Sequence, residues 1–195
     1  MIDLERLRKL YKFGKEISLK DAQILLKAAK SESIKKKEII FEEGSKDTTL
    51  YFLRKGLVRM YHIKDNGDEI TFNLIPEYNI VANFEFIVMQ SSSKFYYETL
   101  EDCSFFSIDY NEVEKIISNN PKLESNRKFF LRRIVKNSAE RVQSFVLMNP
   151  EERYIKFVKD NPNFTNRVPD KYIAHVIGIT PVSLSRIRKR IALKK

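Results

Sequence analysis

Hydrophobic spacing changes character three times along this chain. Two opening helices come first, and "SLKDAQILLKAAK" is the clearer of them. Ile24, Leu25 and Ala28 share one stripe there, and Ser18 is placed to cap it, with Asp21 three residues on. From there to about residue 110, short apolar runs are divided by turn residues. "IIF" stops at Glu43-Gly44, and "LYFLRKGLVRMYHI" breaks at Lys55-Gly56. "DNGDE" carries Asn66-Gly67, the signal for a two-residue hairpin turn. "EITFNLI" alternates Ile70, Phe72 and Leu74 as a half-buried strand does, and "FYYETLEDCSFFSI" reads as two strands around Glu101-Asp102. Strands at this spacing predict an antiparallel barrel or jelly roll, so the fold class expected is α+β.

The helical period then returns. "YNEVEKIISNN" predicts a short helix ended by Pro121. "PKLESNRKFFLRRIVKNSAERVQSFVLM" predicts a helix of about seven turns, with Leu123, Phe130, Ile134, Val142 and Phe145 as its apolar series. A helix that long needs a partner, either the barrel or a second copy of the chain; a second copy is the expectation. Asn149-Pro150 interrupts the pattern, because the residue before a proline avoids helical geometry. "PEERYIKFVKDNP" opens the next helix with Pro150 first and acids in its first turn. The organisation expected is a jelly-roll domain over 1–120, a dimerisation helix over 121–148 and a C-terminal domain over 149–195, hinged at Met148 to Pro150.

The last segment, "DKYIAHVIGITPVSLSRIRKRI", fits a helix-turn-helix. Ala174 is the small residue where the second helix crosses closely, and Gly178 is the turn glycine. Ile173, Ile177, Ile179, Leu184 and Ile187 hold the helices together, and Thr180 and Pro181 suit the cap and first position of the second helix. At 100° per residue, Leu184, Ile187, Arg188 and Ile191 face the domain, with Arg188 at the edge. Val182, Arg186 and Lys189 face away, flanked by Ser183, Ser185 and Arg190. Arg186 is suited to guanine O6 and N7, and Val182 to a thymine methyl. Thr180 and Ser183 are within reach of phosphates or base edges, and Lys189, Arg190 and Lys171 suit phosphates. His175 is expected on the helix surface or beside phosphate.

Charge sharpens this. The formal net charge is +10, and residues 150–195 hold 11 Lys/Arg against 4 Asp/Glu while the other 149 hold 25 against 22. A polyanion at the C-terminal end accounts for that asymmetry. The rest of the composition excludes classes. One cysteine, Cys103, makes no internal disulfide, and two distant histidines make no metal site. No nucleophile–base constellation stands out, so no catalytic residues are expected. There is no run of 18 apolar residues for a membrane span, and "MIDLERLRKLYKF" lacks the apolar core of a secretory signal. The location expected is the cytoplasm.

With these features in order, the chain resembles the Crp/Fnr family of bacterial transcription regulators over roughly residues 20–192. "FEEGS" and "YFLRKGLVRMYHI" match the sensor domain, "MNPEERY" the hinge, and "YIAHVIGITPVSLSRIRKRI" the DNA-binding motif. The resemblance implies a cyclic-nucleotide-binding-like jelly roll and a homodimer paired through the 121–148 helix. It also implies a winged helix-turn-helix on double-stranded DNA, with RNA polymerase as a further partner. Two departures stand out. Nucleotide-binding members carry a Gly-Glu pair and an Arg followed by Ser or Thr, which fall here on Ala82-Asn83 and Ser93-Lys94. These four form the candidate effector pocket, with carboxylate and guanidinium both missing, so no cofactor and no cyclic AMP are expected, and the effector is a different small molecule or none. In the recognition helix, the family's Arg, Glu and Arg fall on Pro181, Val182 and Arg186, so the DNA half-site should differ. The competing reading is a regulatory subunit that binds a small ligand through the barrel and does not bind DNA.

Overall fold

The structure is a computed structural model that describes residues 19–193. The first opening helix and the cap at Ser18 lie outside the described residues. Helix α1 spans Leu19–Ala28. Eight strands follow: β1 Lys30–Ile34, β2 Ile39–Phe41, β3 Thr49–Lys55, β4 Leu57–Ile63, β5 Glu69–Pro76, β6 Ile80–Val81, β7 Tyr96–Thr99 and β8 Cys103–Asp109, with helix α2 at Phe84–Met89 between β6 and β7. They form two four-stranded sheets, ordered β1-β8-β3-β6 and β2-β7-β4-β5. β8 pairs antiparallel with both β1 and β3, and β7 pairs antiparallel with β2. This is the sandwich expected from the strand spacing.

Its core is Phe41, Leu53, Val58, Ile75, Val81, Tyr97, Cys103 and Phe105. The rings of Phe41, Tyr51, Tyr97 and Phe105 meet edge to face at 5.3 to 5.7 Å, the geometry that the ring quadrupole favours. Burial raises the Cys103 thiol to about 11, so it stays a protonated core residue.

Two local expectations change. The β4–β5 turn is not a two-residue loop. Lys64 N donates to Asp68 O and Gly67 N to Lys64 O, and only Gly67 has positive φ. This is a three-residue loop closed by a glycine bulge; a two-residue type I′ turn would need Asn66 left-handed as well. The alternation in β5 is broken at Phe72: Leu74 is buried as expected, but Thr71 is buried too and Phe72 is exposed, with the guanidinium of Arg141 4.5 Å from its ring centre.

Helix α3, Tyr110–Asn119, is capped by Asp109. A single 3-10 turn at Pro121–Leu123 leads into α4, Glu124–Leu147. The expected apolar series mixes two faces of α4. Leu123 is buried, whereas Val142 belongs to an exposed stripe with Leu131, Val135 and Val146. Helices α5 Pro150–Asp160, α6 Phe164–Arg167, α7 Asp170–Val176 and α8 Pro181–Leu193 complete the chain. No strand follows Pro76 outside the sandwich among the described residues, so the expected wing is not there. "NPNFTNRVP" has no alternating run to build one, and forms α6 instead.

By contacts the described residues form two compact units: those from Leu19 to Met60 with Ile75–Arg133, and Tyr61–Leu74 with those from Ile134 to Leu193. The second thus takes in the β4–β5 hairpin end and cuts α4 ahead of Asn149-Pro150.

Candidate nucleic-acid interface and sensor cassette

The C-terminal motif begins with a capping box. Asn149 Oδ1 accepts from Glu152 N at 3.0 Å, and Glu152 Oε2 accepts from Asn149 N at 2.8 Å. Arg153, which the sequence offered only as a charge, joins separate pieces. Its Nη1 donates to Met148 O and its Nε to Ile177 O, both at 2.8 Å. Tyr154, Phe157, Phe164, Val168, Ile173, Ala174, Ile177, Leu184 and Ile187 are buried. The predicted apolar face of α8 is therefore its inner face.

Between α7 and α8 the chain turns at Gly178, where φ is +69°. Gly178 N donates to His175 O and Ile179 N to Ala174 O, closing α7. The glycine is required by this left-handed conformation, and a Cβ there would also push the ring of Phe145 aside. Thr180 caps α8 as expected: its Oγ1 accepts from Ser183 N at 3.1 Å. Arg188 closes the motif, with Nη1 at 2.7 and 2.8 Å from the Asp170 carboxylate and Nε at 3.0 Å from Tyr154 Oη.

On the opposite side of α8, Val182, Ser185, Arg186 and Lys189 are exposed, Val182 by 61%. Ser183 is half-buried and engaged in the cap, and Thr180 is exposed. Arg190 pairs with Glu151, Nη1 to Oε2 at 2.8 Å. Lys171 is exposed on α7, with Nζ 5.1 Å from the Tyr172 ring centre. His175 is used inside the unit: its Nδ1 accepts from Thr71 N at 3.2 Å. A groove of about 640 Å³ runs beside this face, lined by Pro150, Glu151, Ile155, Ser183, Arg186 and Arg190 among others.

The candidate effector residues are placed differently. Ala82, Asn83 and Ser93 are buried, at 1%, 0% and 3% exposure, and Lys94 is exposed. Asn83 Oδ1 accepts from Phe86 N at 3.1 Å and its Nδ2 donates to Ser45 O at 2.7 Å. The Ser93 hydroxyl bonds to Phe95 O and accepts from Phe95 N. Lys94 N donates to Glu85 Oε2 at 2.7 Å. The segments are brought together as expected, but three of the four residues are structural and do not line an open site. Glu85 was not expected; "ANFEF" has no signal for it, because its partner lies nine residues on. Among the described residues no group of three His, Cys, Asp or Glu is arranged for a metal, and no helix is long and apolar enough to cross a membrane.

Residues 31–120 match the family described as Cyclic nucleotide-binding domain. Electron transport regulator A of Shewanella oneidensis is 29% identical over 174 residues, 80% of this chain and 66% of that protein. The anaerobic regulatory protein of Aggregatibacter actinomycetemcomitans is 26% identical over 126 residues, 64% of this chain and 48% of that one. The chain is thus similar over most of its length to regulators of the Crp/Fnr type. It is also 22% identical to the global nitrogen regulator of Nostoc sp. over 176 residues, 84% of the chain and 79% of that protein. It spans about two thirds of the Shewanella relative and about half of the Aggregatibacter one. FixK2 from Bradyrhizobium japonicum has a TM-score of 0.70 at 16% identity, covering 85% of each chain. The c-di-GMP responsive global regulator CLP of Xanthomonas campestris has 0.66 at 13%, covering 89% of this chain and 91% of that one. At such identities the likeness is one of fold alone: a sandwich of antiparallel sheets followed by helices.

Proposed function

We propose that this chain is a sequence-specific, double-stranded-DNA-binding transcription regulator that acts as a homodimer. One observation carries the reading: α8 is fixed on its inner side and cationic on its outer side. Leu184, Ile187 and the Arg188–Asp170–Tyr154 cluster hold it, while Arg186 and Lys189 stay exposed. A helix held that way can enter a major groove without losing its own packing.

Arg186 reads guanine through O6 and N7, and Val182 meets a thymine methyl with Ser185 beside it. Lys189, Arg190 and Lys171 contact phosphates, as do Thr180 and Ser183 at the helix start. The exposed stripe of Leu131, Val135, Val142 and Val146 on α4 is apolar surface suited to the same stripe of a second copy. Two copies would present two recognition helices to a near-palindromic site. RNA polymerase is the further partner of such a protein at a promoter. The names of the relatives, all regulators, support this class of function.

The deciding experiment is selection of bound duplexes from a random pool, followed by a salt titration on the enriched site. A two-fold-symmetric consensus and a steep fall of affinity with salt are expected. Failure of both the full chain and its C-terminal segment to bind duplex DNA at low salt would favour a regulatory subunit that binds small ligands only.

A further inference from the structure

A cyclic nucleotide is the ligand that the matched domain implies, and the cassette residues do not fit it. An anion bound through the Lys94 N–H would have to displace the Glu85 carboxylate that accepts from it at 2.7 Å. Two negative charges cannot share one donor without strong repulsion. The ribose end is equally committed. Asn83, where the family's carboxylate falls, has its side-chain oxygen on Phe86 N and its amide nitrogen on Ser45 O. A buried polar group that already has partners gains nothing from a ligand. At the place of the guanidinium stands Ser93, whose hydroxyl is turned onto the Phe95 backbone.

The same bonds lock the cassette shut. Glu85 O accepts from Ser91 N and Oγ, and Gly44 N donates to Ser93 O at 2.7 Å. The buried Tyr97 phenol is raised well above its usual range, by burial first and by the Glu85 charge second.

We infer that Glu85 is a built-in substitute for the anionic ligand: its carboxylate closes the cassette from within, and the domain takes no cyclic nucleotide. The inference deepens the regulator reading by assigning the resting state of its sensor, and its test involves no DNA, so the two can fail separately.

The test is thermal unfolding of the full chain with cyclic AMP and with inorganic phosphate, in wild type, Glu85→Gln and Glu85→Ala. Gln retains an acceptor for Lys94 N–H without the charge; Ala leaves that donor bare. The wild-type midpoint is expected to stay unmoved by either probe at about 1 mM. Glu85→Ala should unfold about 2–4 °C lower, with Glu85→Gln between. Should Glu85→Ala not fold, the Lys94 amide resonance serves in its place, and moves upfield from wild type to Glu85→Gln as the charged acceptor is lost. A saturable rise of the wild-type midpoint with cyclic AMP overturns the inference. So do two variants with wild-type midpoints, or a Lys94 amide resonance that Glu85→Gln leaves unchanged.

Discussion

Two short polar turns lead into helices here, one at Asn83 before α2 and one at Thr180 before α8. Each supplies a side-chain oxygen to the amide three residues on, at 3.1 Å in both cases. Beyond the cap they diverge. At Asn83 the remaining polar atoms are consumed: the amide nitrogen by Ser45 and the Lys94 N–H by Glu85. Past Thr180 the next turns leave Ser185, Arg186 and Lys189 directed outward. What separates a reading surface from scaffold is whether donors are left over once the helix is built. Residue type alone does not show it, because Ser and Lys occur at both places.

That contrast can be broken from several sides. The largest effect is expected from Gly178→Ala, which forces a left-handed backbone on a residue with a Cβ and drives that Cβ into Phe145. Chemical denaturation should show a loss of about 2–4 kcal/mol, with DNA binding lost in step. Next comes Arg186→Ala, expected to cost about 1–3 kcal/mol on the selected site and little on random duplex. Equal losses on both, measured by fluorescence anisotropy, would remove its base-reading role. Asn83→Ala leaves Phe86 N and Ser45 O unpartnered and should lower stability by about 1–2 kcal/mol without changing affinity for DNA.

Lys189→Ala should weaken binding to all sequences alike and lower the salt slope by about 1. The smallest change is expected from Glu151→Gln. It releases Arg190, and since that ion pair is partly exposed, non-specific affinity should rise by less than about fivefold. A fall in affinity instead would mean that Glu151 orients Arg190 towards phosphate.

The motif at 170–193 was readable because its determinants act over a few residues. Thr180 caps Ser183, Gly178 closes α7, and helical periodicity separates Leu184 and Ile187 from Arg186 and Lys189. The strand breaks at Lys55-Gly56 and Glu101-Asp102 were readable for the same reason. The β5 alternation was readable at Leu74 and not at Phe72, whose ring meets Arg141, far along the chain, instead of the core. The wing was expected from the resemblance alone, and no residue pattern called for it.

By itself, then, the sequence determined the run of strands between two helical regions, the turn at Gly178, the cap at Thr180 and the cationic outer face of α8. These follow from backbone geometry, capping and periodicity, which need no distant partner. Tertiary structure alone decided which charges remain available. Arg188 is committed to Asp170, Arg190 to Glu151 and Arg153 to two carbonyls, while Arg186 and Lys189 stay exposed. It also decided that Ala82, Asn83 and Ser93 are buried and that Glu85 faces the Lys94 amide. An ion pair or buried hydrogen bond depends on atoms meeting across loops, and that proximity is absent from any local pattern.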